Sequence, residues 1–395
     1  MFVGMVKKKN ILLSFWRTQK VMKVQKILFT SNVTWAMIKF RHGLLKHLIQ
    51  QGHHIYIVAP DDEFVQKLEE MGCHCIDIEL SRKGVNPLED IKLMWTLYKV
   101  YKEIRPDVIF NYSIKPIIYG SFAARLANIK SIAVNIGLGY TFIHTNFISK
   151  ISHFLYKIAL YFPKEVWFIN EDDRTEFVNR SLVANEKTFV LPSEGVDVHY
   201  FSPRQNHNTN KVFLLIARML WDKGVGEYYQ AAKILKEKYP YVEFQLLGNI
   251  DDGNPQGIGA DVLKQWHQEG VINYLGYAKD VREYIAEATC VVLPSYREGK
   301  GMTLIESGAM EKPLIATNVP GCKDIVKNGY NGFLCEVKNI ASLAEAMEKV
   351  ITLDPFSLQQ LGQNACNFMK EQFDEKKIIA IYDKKIKKIC DGDFS

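Results

Sequence analysis

A pair of cations in the second half of the chain has the spacing of a phosphate-binding group. Arg218 and Lys223 stand five residues apart, directly after the apolar run Val212–Ala217, which predicts a buried strand. Ligands of α/β proteins bind beyond the carboxyl ends of strands, so this position favours a binding role. An Arg fork and a Lys point charge there can converge on one diphosphate. A solvated surface loop is the alternative.

Two carboxylates follow another predicted strand far downstream, at Cys290–Pro294. A glycine-bearing loop leads there to a helix that we expect to begin near Met302–Thr303, and whose free N–H groups and dipole favour an anion. Glu298 lies in the loop, and we expect Glu306 in the first helical turn. Carboxylates repel a diphosphate but accept hydrogen bonds from hydroxyl groups on either side of it. The four side chains together predict a site for a nucleotide-sugar.

Other common catalytic and binding motifs are missing from the sequence. It contains no G-x-x-x-x-G-K-[ST], no H-E-x-x-H and no G-x-S-x-G. Asp251–Asn254 lacks the spacing of a calcium loop, and Gly137–Gly139 lacks the third glycine of a dinucleotide fingerprint. No helix-turn-helix or zinc-finger pattern is present, so we expect no nucleic-acid partner.

Length and composition place the chain among folded proteins of about two domains. It has 395 residues, of which 47% are hydrophobic and 24% charged. This excludes a mainly disordered chain, and no internal repeat indicates a solenoid. The seven cysteines include no C-x-x-C pair, which favours reduced thiols in the cytoplasm over a disulfide scaffold.

Strands and helices alternate along the sequence, which predicts parallel sheets. The polar, turn-rich segment 201–210 separates two such alternations and is the best candidate for a linker. Predicted helices include Asp61–Met71, Pro87–Ile104, Gly120–Ala127 and Lys376–Ile389. Predicted strands include Lys26–Thr30, His54–Ala59, Cys73–Leu80, Asp107–Tyr112, Ser131–Ile136, Leu314–Thr317 and Gly332–Cys335.

Positive charge is concentrated in the first half of the chain. Residues 1–200 hold 26 Lys and Arg against 19 Asp and Glu, whereas residues 201–395 hold 24 against 25. Such a face suits a polyanion or an anionic membrane, although a basic tail and chance would also explain it. The apolar, aromatic segment Gly139–Phe162 is either a core helix or a helix lying on a membrane.

We expect no signal peptide and no membrane span, because the apolar stretch Ile11–Trp16 is too short for either. Residues 1–22 are predicted to be an extension that precedes the fold. We therefore expect a cytoplasmic protein that contacts the inner face of the cell membrane peripherally.

These residues also carry a resemblance to a known family. Glu298 and Glu306 match the E-x7-E signature of retaining family-4 glycosyltransferases, and Arg218 and Lys223 match the phosphate-binding pair of that family. In the first half, several segments resemble the subgroup that extends undecaprenyl-diphosphate-linked sugars, including N-acetylgalactosaminyltransferases. These segments are Trp35–Arg41, Ala59–Asp62, Leu80–Gly84, Tyr112–Pro116 and Gly137–Gly139.

The resemblance implies the GT-B fold, in which two Rossmann-like α/β domains face each other across a cleft. It implies an acceptor-binding domain at 23–200, joined by a C-terminal helix at about 368–395 that packs back on it, and a nucleotide-sugar-binding domain at 201–367. The implied catalytic residues are Arg218, Lys223 and Glu298. The donor would contact these three and also Gly195, Tyr277, Gly299, Gly301, Met302, Thr303, Leu304 and Glu306, with the backbone amides of 302–304 helping to neutralise the diphosphate. The acceptor would contact Trp35, Arg41, Lys115, Gly137 and Gly139.

The implied activity is the transfer of a sugar, an N-acetylhexosamine in the subgroup, from a UDP-sugar to a lipid-linked sugar. No metal or other cofactor is implied, since the cations and the helix end take that place. Many relatives have a His from the first domain beside the donor sugar, and His144 does not align convincingly with it. A nucleotide-sugar epimerase of the same shape and a non-catalytic sugar-nucleotide scaffold are the alternative functions.

Overall fold

Strands and helices alternate in the computed structural model of the chain. It describes residues 23–80, 86–138, 147–205, 208, 210–251 and 253–391. Of the predicted features, the extension 1–22, Gly139 and His144 lie outside the described residues, and so do the side chains of 147–150. The described elements form two parallel sheets, one from each half of the chain.

The first sheet has seven parallel strands in the order β3-β2-β1-β4-β5-β6-β7. Its central strands read as apolar runs because helices cover both faces of a parallel sheet. The elements are β1 (Lys26–Thr30), α1 (Trp35–Gln50), β2 (His54–Ala59), α2 (Val65–Glu70), β3 (His74–Asp77), α3 (Pro87–Ile104), β4 (Val108–Tyr112), a π turn (Pro116–Gly120), α4 (Ser121–Ala127), β5 (Ser131–Asn135), α5 (Phe147–Ala159), β6 (Glu165–Phe168), α6 (Glu171–Asn179), a 3-10 turn (Asn185–Lys187) and β7 (Thr188–Val190).

The second sheet has six parallel strands in the order β10-β9-β8-β11-β12-β13. Its order reverses next to β8, which again brings the carboxyl ends of central strands to one edge. The elements are β8 (Val212–Ile216), a 3-10 turn (Trp221–Lys223), α7 (Val225–Lys238), β9 (Glu243–Leu247), α8 (Ala260–Gln268), β10 (Asn273–Tyr274), α9 (Arg282–Glu287), β11 (Cys290–Leu293), α10 (Met302–Ala309), β12 (Leu314–Thr317), β13 (Gly332–Cys335), α11 (Ile340–Thr352), α12 (Pro355–Gln372) and α13 (Glu375–Asp391).

The last helix, α13, crosses back to the first sheet, as the resemblance implies. Its buried residues Tyr382 and Ile386 join the core that contains β1 and β2. The crossing begins later than the predicted residue 368, because Met369 and Phe373 pack in the core of the second sheet. At the crossing point the amide of Val196 donates to the carbonyl of Phe373 at 2.9 Å. Two chain segments therefore join the domains side by side.

Two of the predicted elements are shorter in the structure. The helix predicted at Asp61–Met71 covers only Val65–Glu70, and the strand predicted at Cys73–Leu80 covers only His74–Asp77. The described helix of the segment Gly139–Phe162 is α5. No helix within the described residues is long and apolar enough to cross a lipid bilayer.

Candidate active site

A cavity of about 880 Å³ lies between the two domains. Residues that follow strand ends line it from both sides, among them Ser113 after β4 and Arg218 after β8. Ligand sites of α/β folds lie at this edge. The predicted site residues among those lining the cavity are Trp35, Arg41, Arg218, Tyr277, Glu298, Gly299, Met302 and Thr303.

Lys223 and Glu298 form an ion pair beside this cavity, whose described lining includes Glu298 but not Lys223. Lys223 ends the 3-10 turn after β8, and Glu298 lies in the loop between β11 and α10. The Nζ atom of Lys223 lies 2.7 Å from Oε1 of Glu298, and both side chains are largely buried. The pair places a cation next to a carboxylate. A site that binds a phosphate and a neighbouring hydroxyl needs both kinds of group.

Arg218 lies at the mouth of the cavity and is 59% exposed. Its Nη1 atom donates to Oδ2 of Asp251 at 3.0 Å. Exposed ion pairs are weak, on the order of 0–1 kcal/mol, so an anionic ligand can compete with Asp251 for the guanidinium group. Arg218 also lines a neighbouring cavity of about 500 Å³ together with Lys115 and Gly137. It therefore lines both cavities.

The start of α10 differs in part from the predicted anion seat. The amide of Met302 donates to the carbonyl of Lys300 at 2.8 Å, and the amide of Leu304 donates to that of Gly301 at 2.9 Å. Among the described residues, the amide of Thr303 has no such partner. Of the three amides predicted to face the diphosphate, two are thus already used by the turn, and that of Thr303 remains.

Glu306 is more buried than its predicted role suggests. Because α10 begins at Met302, Glu306 lies in the second helical turn and not in the first. It is 6% exposed and is not among the described residues lining the cavity. Burial raises the pKa of its carboxyl group, and the charge of Lys39 opposes that shift. Lys39 belongs to α1 of the other domain and lines the cavity, so the sequence alone could not have paired the two.

Gly299 lies at a close approach of the two domains. A Cβ atom at this position would overlap the carbonyl oxygen of Ile136, which follows β5. Gly137 has a φ of +149°, and a Cβ there would lie 3.6 Å from the Cα of Gly299. We predicted both glycines as ligand contacts. The structure shows a second reason for glycine at these positions, because the backbones of the two domains approach so closely here that no side chain fits between them.

Arg41 has a structural partner. Its Nη2 atom donates to Oε1 of Glu194 at 2.6 Å, and its guanidinium group lies 3.9 Å from the centre of the Tyr112 ring. The side chains of Arg41 and Glu194 both line the floor of the cavity although they are almost fully buried. Burial raises the pKa of Glu194, and the charge of Arg41 opposes this. Arg41 was predicted to contact the acceptor, and its Nη2 atom is already bonded to Glu194.

Gly195 makes its close approach elsewhere than predicted. A Cβ atom there would lie 2.9 Å from the Cα of Glu375, at the start of α13. Gly195 is not among the described residues that line the cavity, whereas its neighbour Glu194 is. The glycine therefore serves the domain crossing, and its predicted contact with the donor has no support in this geometry.

Lys115 lies on the side of the first domain, in the neighbouring cavity. Its Nζ atom is 2.8 Å from Oδ1 of the buried Asp90, which also accepts a hydrogen bond from the hydroxyl of Tyr119. The cavity continues past Tyr156 of α5. Lys115 and Arg218 are the two basic side chains among its described lining residues, and each is paired with an aspartate, Asp90 and Asp251 respectively.

Several site residues escaped the sequence reasoning. Lys300 lines the main cavity and donates to Asp324 at 3.3 Å, and burial lowers its pKa. The two domains also meet through side chains more than 100 positions apart, such as Lys323 and Asp172, whose Nζ and Oδ1 atoms are 2.7 Å apart. No local pattern could have predicted such pairs. Among the described residues, no three His, Cys, Asp or Glu side chains are placed to hold a metal ion.

Comparison with known proteins identifies the family of each half. Residues 26–170 match the family described as "Glycosyl transferase 4-like", and residues 200–368 match "Glycosyl transferases group 1". Both halves of the chain thus match glycosyltransferase families.

Sequence relatives extend over nearly the whole chain. It is 30% identical to the N,N'-diacetylbacillosaminyl-diphospho-undecaprenol alpha-1,3-N-acetylgalactosaminyltransferase of Campylobacter jejuni, covering 91% of this chain and 99% of that protein. It is 24% identical to the capsular polysaccharide biosynthesis glycosyltransferase CapM of Staphylococcus aureus, covering 89% and 94%.

Solved structures share the fold. A glycosyltransferase from Rickettsia africae superposes with a TM-score of 0.79 at 19% identity, covering 94% of this chain and 100% of that one. HepE from Anabaena, in complex with UDP and glucose, superposes with a TM-score of 0.75 at 19% identity, covering 92% and 99%. The chain therefore belongs to the glycosyltransferases of the 4-like and group 1 families, and it has the GT-B fold.

Proposed function

We propose that this glycosyltransferase moves a sugar, an N-acetylhexosamine, from a UDP-sugar to a sugar linked to undecaprenyl diphosphate, with retention of anomeric configuration. The observation that carries the proposal is the Lys223–Glu298 pair, held at 2.7 Å, whose carboxylate lines a cavity between the two domains. The relative from Campylobacter jejuni, named for transfer to such a lipid, supports the choice of acceptor. A relative from Escherichia coli is named for UDP-Gal and a GlcNAc-diphosphoundecaprenol.

The donor would lie on the second domain. Arg218 and Lys223 would neutralise the diphosphate as it leaves, and the amide of Thr303 would add a hydrogen bond at the start of α10. Glu298 would accept from hydroxyls of the donor sugar and Glu306 from the ribose. Tyr277, which is exposed and lines the cavity, would lie beside the base.

Transfer would break the bond between the anomeric carbon and the diphosphate oxygen and form a bond to the acceptor hydroxyl oxygen on the same face. The proton of that hydroxyl would pass to the departing diphosphate, so that UDP leaves with it. We propose that the two cations take the place that a metal ion fills in other enzymes, and that no cofactor is needed.

The acceptor would approach from the first domain. Its diphosphate would lie in the smaller cavity, where Lys115 and Arg218 supply positive charge. Trp35, which is exposed and packed edge-to-face on Phe40 at 5.7 Å, would offer an apolar wall to the acceptor sugar in the main cavity. The two cavities share Arg218 and Ile136, so donor and acceptor groups can meet there.

Helix α5 would place the enzyme on an anionic membrane. Phe154, Ile158 and Tyr161 are exposed, by 64%, 37% and 78%. Phe154 and Ile158 are four residues apart on α5 and so share one side of it, and Tyr161 follows the end of the helix. Lys157 and Lys164 are exposed beside them. The opposite face packs in the core and presents Tyr156 to the smaller cavity. In this proposal one face of α5 would be the core helix and the other face the membrane helix that the sequence left open as alternatives. A lipid tail would leave the cavity along α5.

A radiolabel assay tests the proposed reaction. Label from a panel of UDP-sugars should enter the butanol-soluble lipid fraction with one preferred donor, and proton NMR of the product should show the anomeric configuration of that donor. Inversion would exclude the retaining mechanism, and label that stays in the aqueous phase with every donor would exclude the lipid acceptor.

Sedimentation with liposomes tests the membrane contact. The variant Phe154→Ser/Tyr161→Ser should pellet less with vesicles of anionic lipid at low salt, since it loses apolar area at the interface. Phe356→Ser, which changes an equally exposed ring on the other domain, is the matched control. Equal pelleting of all three proteins would refute a role for α5.

A further inference from the structure

The loop that carries Glu298 is held by the first domain on both sides of this residue. Immediately before it, Nη2 of Arg297 donates to Oδ1 of Asp173. Immediately after it, Nδ2 of Asn170 donates to the carbonyl of Gly299 at 2.8 Å. Asn170 and Asp173 belong to the first domain, at the start of α6. The first domain therefore holds the loop on both sides of Glu298, in addition to the Lys223 pair and the bond from the Glu298 amide to the carbonyl of Pro320 within the second domain.

The first-domain side of this contact is rigid and buried. Asn170 and Asp173 are each 1% exposed. Oδ1 of Asn170 accepts from the amide of Asp173 at 2.7 Å and so caps α6, while Nδ2 of the same side chain reaches the loop. One amide group therefore fixes the helix start and the loop together. A shift of either domain would break the bond from Asn170 to Gly299 and also the pair of Asp173 with Arg297.

The contact is not built for stability alone. Oδ2 of Asp173 and Nε of Arg297 are buried without a hydrogen-bond partner among the described residues. Burial raises the pKa of Asp173, and Arg297 opposes that shift. Leaving such groups unpaired is unfavourable for folding, and it is common where a structure meets a functional demand.

We propose that Asn170, Asp173, Arg297 and the carbonyl of Gly299 form an interdomain latch that positions Glu298 for transfer. The latch is made only when the domains are close, so it couples closure over the two substrates to the placement of the carboxylate. Asp173 and Arg297 are positioning residues in this scheme and do not touch substrate. The inference rests on the proposed function of Glu298, but the contact itself can be tested without it.

Kinetics with Asp173→Asn tests the latch. The donor binds on the second domain, so its KM should stay within about threefold, while kcat should fall by about 10- to 100-fold because Glu298 is misplaced. The matched control is Lys323→Gln, which removes a half-buried ion pair across the same interface. It should change kcat by less than about twofold, because neither Lys323 nor Asp172 belongs to or holds the loop that carries Glu298. Equal losses in both variants, or a donor KM that rises as much as kcat falls, would overturn the proposal.

Hydrogen exchange gives a second readout that needs no turnover. Amides of residues 293–301 should exchange faster in Asp173→Asn than in the wild type, with and without UDP, and should not change in Lys323→Gln. Unchanged exchange in this loop overturns the latch even if the enzyme proves inactive with every donor. Should Asp173→Asn fail to fold, Arg297→Lys, which keeps the charge but loses the fork, should give the same pattern in a weaker form.

Discussion

The carboxylate of Glu306 is kept in a buried place that is unfavourable for its charged form. A buried acid whose pKa is raised gives stability that is present below the pKa of the unfolded chain and is lost as pH rises through the folded pKa. At neutral pH the wild-type protein therefore carries a penalty that a neutral side chain of the same shape avoids. A binding role for Glu306 would explain why the penalty is tolerated.

Glu306→Gln should consequently be more stable and less active. If the removed penalty is about 1 kcal/mol, the melting temperature should exceed that of the wild type by about 2–4 °C at about pH 8, and the difference should vanish toward about pH 4. Transfer should fall by at least about 100-fold. Scanning calorimetry over this pH range checks the first part, and a variant less stable than the wild type at high pH would contradict it.

Lys223 should matter more for transfer than for folding. Lys223→Gln removes the charge that faces the departing diphosphate, so kcat/KM should fall by about 100- to 1,000-fold. Lys233→Gln, which changes an exposed lysine on α7, should leave it unchanged. UDP release under steady-state conditions measures both. Similar activity of the two variants would remove Lys223 from the reaction.

The sequence predicted which polar residues form the candidate site, but it did not predict their burial or their partners. Arg218, Lys223 and Glu298 could be predicted because their types and spacing are local properties that follow strand ends. The burial of Glu306 and the pairing of Arg41 with Glu194 could not, because they depend on partners from distant parts of the chain. Lys39 was missed for the same reason.

At the scale of elements, the loop between β11 and α10 is shaped by the domain that it faces. Gly299→Ala would place a methyl group against the carbonyl of Ile136, so the domains should no longer close fully. We expect kcat to fall by at least about tenfold, with little change in the affinity for UDP. Gly259→Ala is the control, since a Cβ there meets no atom within 4 Å. Full activity of Gly299→Ala would show that this approach is dispensable.

Elements with strong local signals were predicted well. Helix α3 has the predicted bounds Pro87–Ile104, because Asn86 caps it, Pro87 suits the first position and Arg105 ends it in a left-handed conformation. Strand β3 is shorter than the strand predicted at Cys73–Leu80, since it pairs only with β2 at the edge of the sheet. The length of an edge strand depends on its neighbour, which the sequence does not display.

At the scale of the whole molecule, α13 ties the end of the chain to the first domain. Ile386→Ala would leave a cavity in the core that contains β1 and β2 and should reduce the free energy of unfolding by about 2–5 kcal/mol. Urea unfolding followed by the fluorescence of Trp167, which belongs to the same core, should report this loss. An unchanged midpoint would contradict the packing of α13.

The two-domain organisation could be predicted from the break at 201–210, since the strands on either side of it belong to different sheets. The relative placement of the domains could not. It depends on contacts such as Asn170 with Gly299, between residues separated by 129 positions, and on the crossing at Val196 and Phe373. These contacts arise only once both domains are folded.

We propose that this glycosyltransferase uses a UDP-sugar and a lipid-linked acceptor. The most direct test measures UDP release from a panel of UDP-sugars, with and without a lipid extract that contains undecaprenyl-diphosphate sugars. We expect release that depends on the lipid and favours one donor. Release without lipid would instead indicate hydrolysis, a soluble acceptor or an epimerase, and no release with any donor would contradict the proposed function.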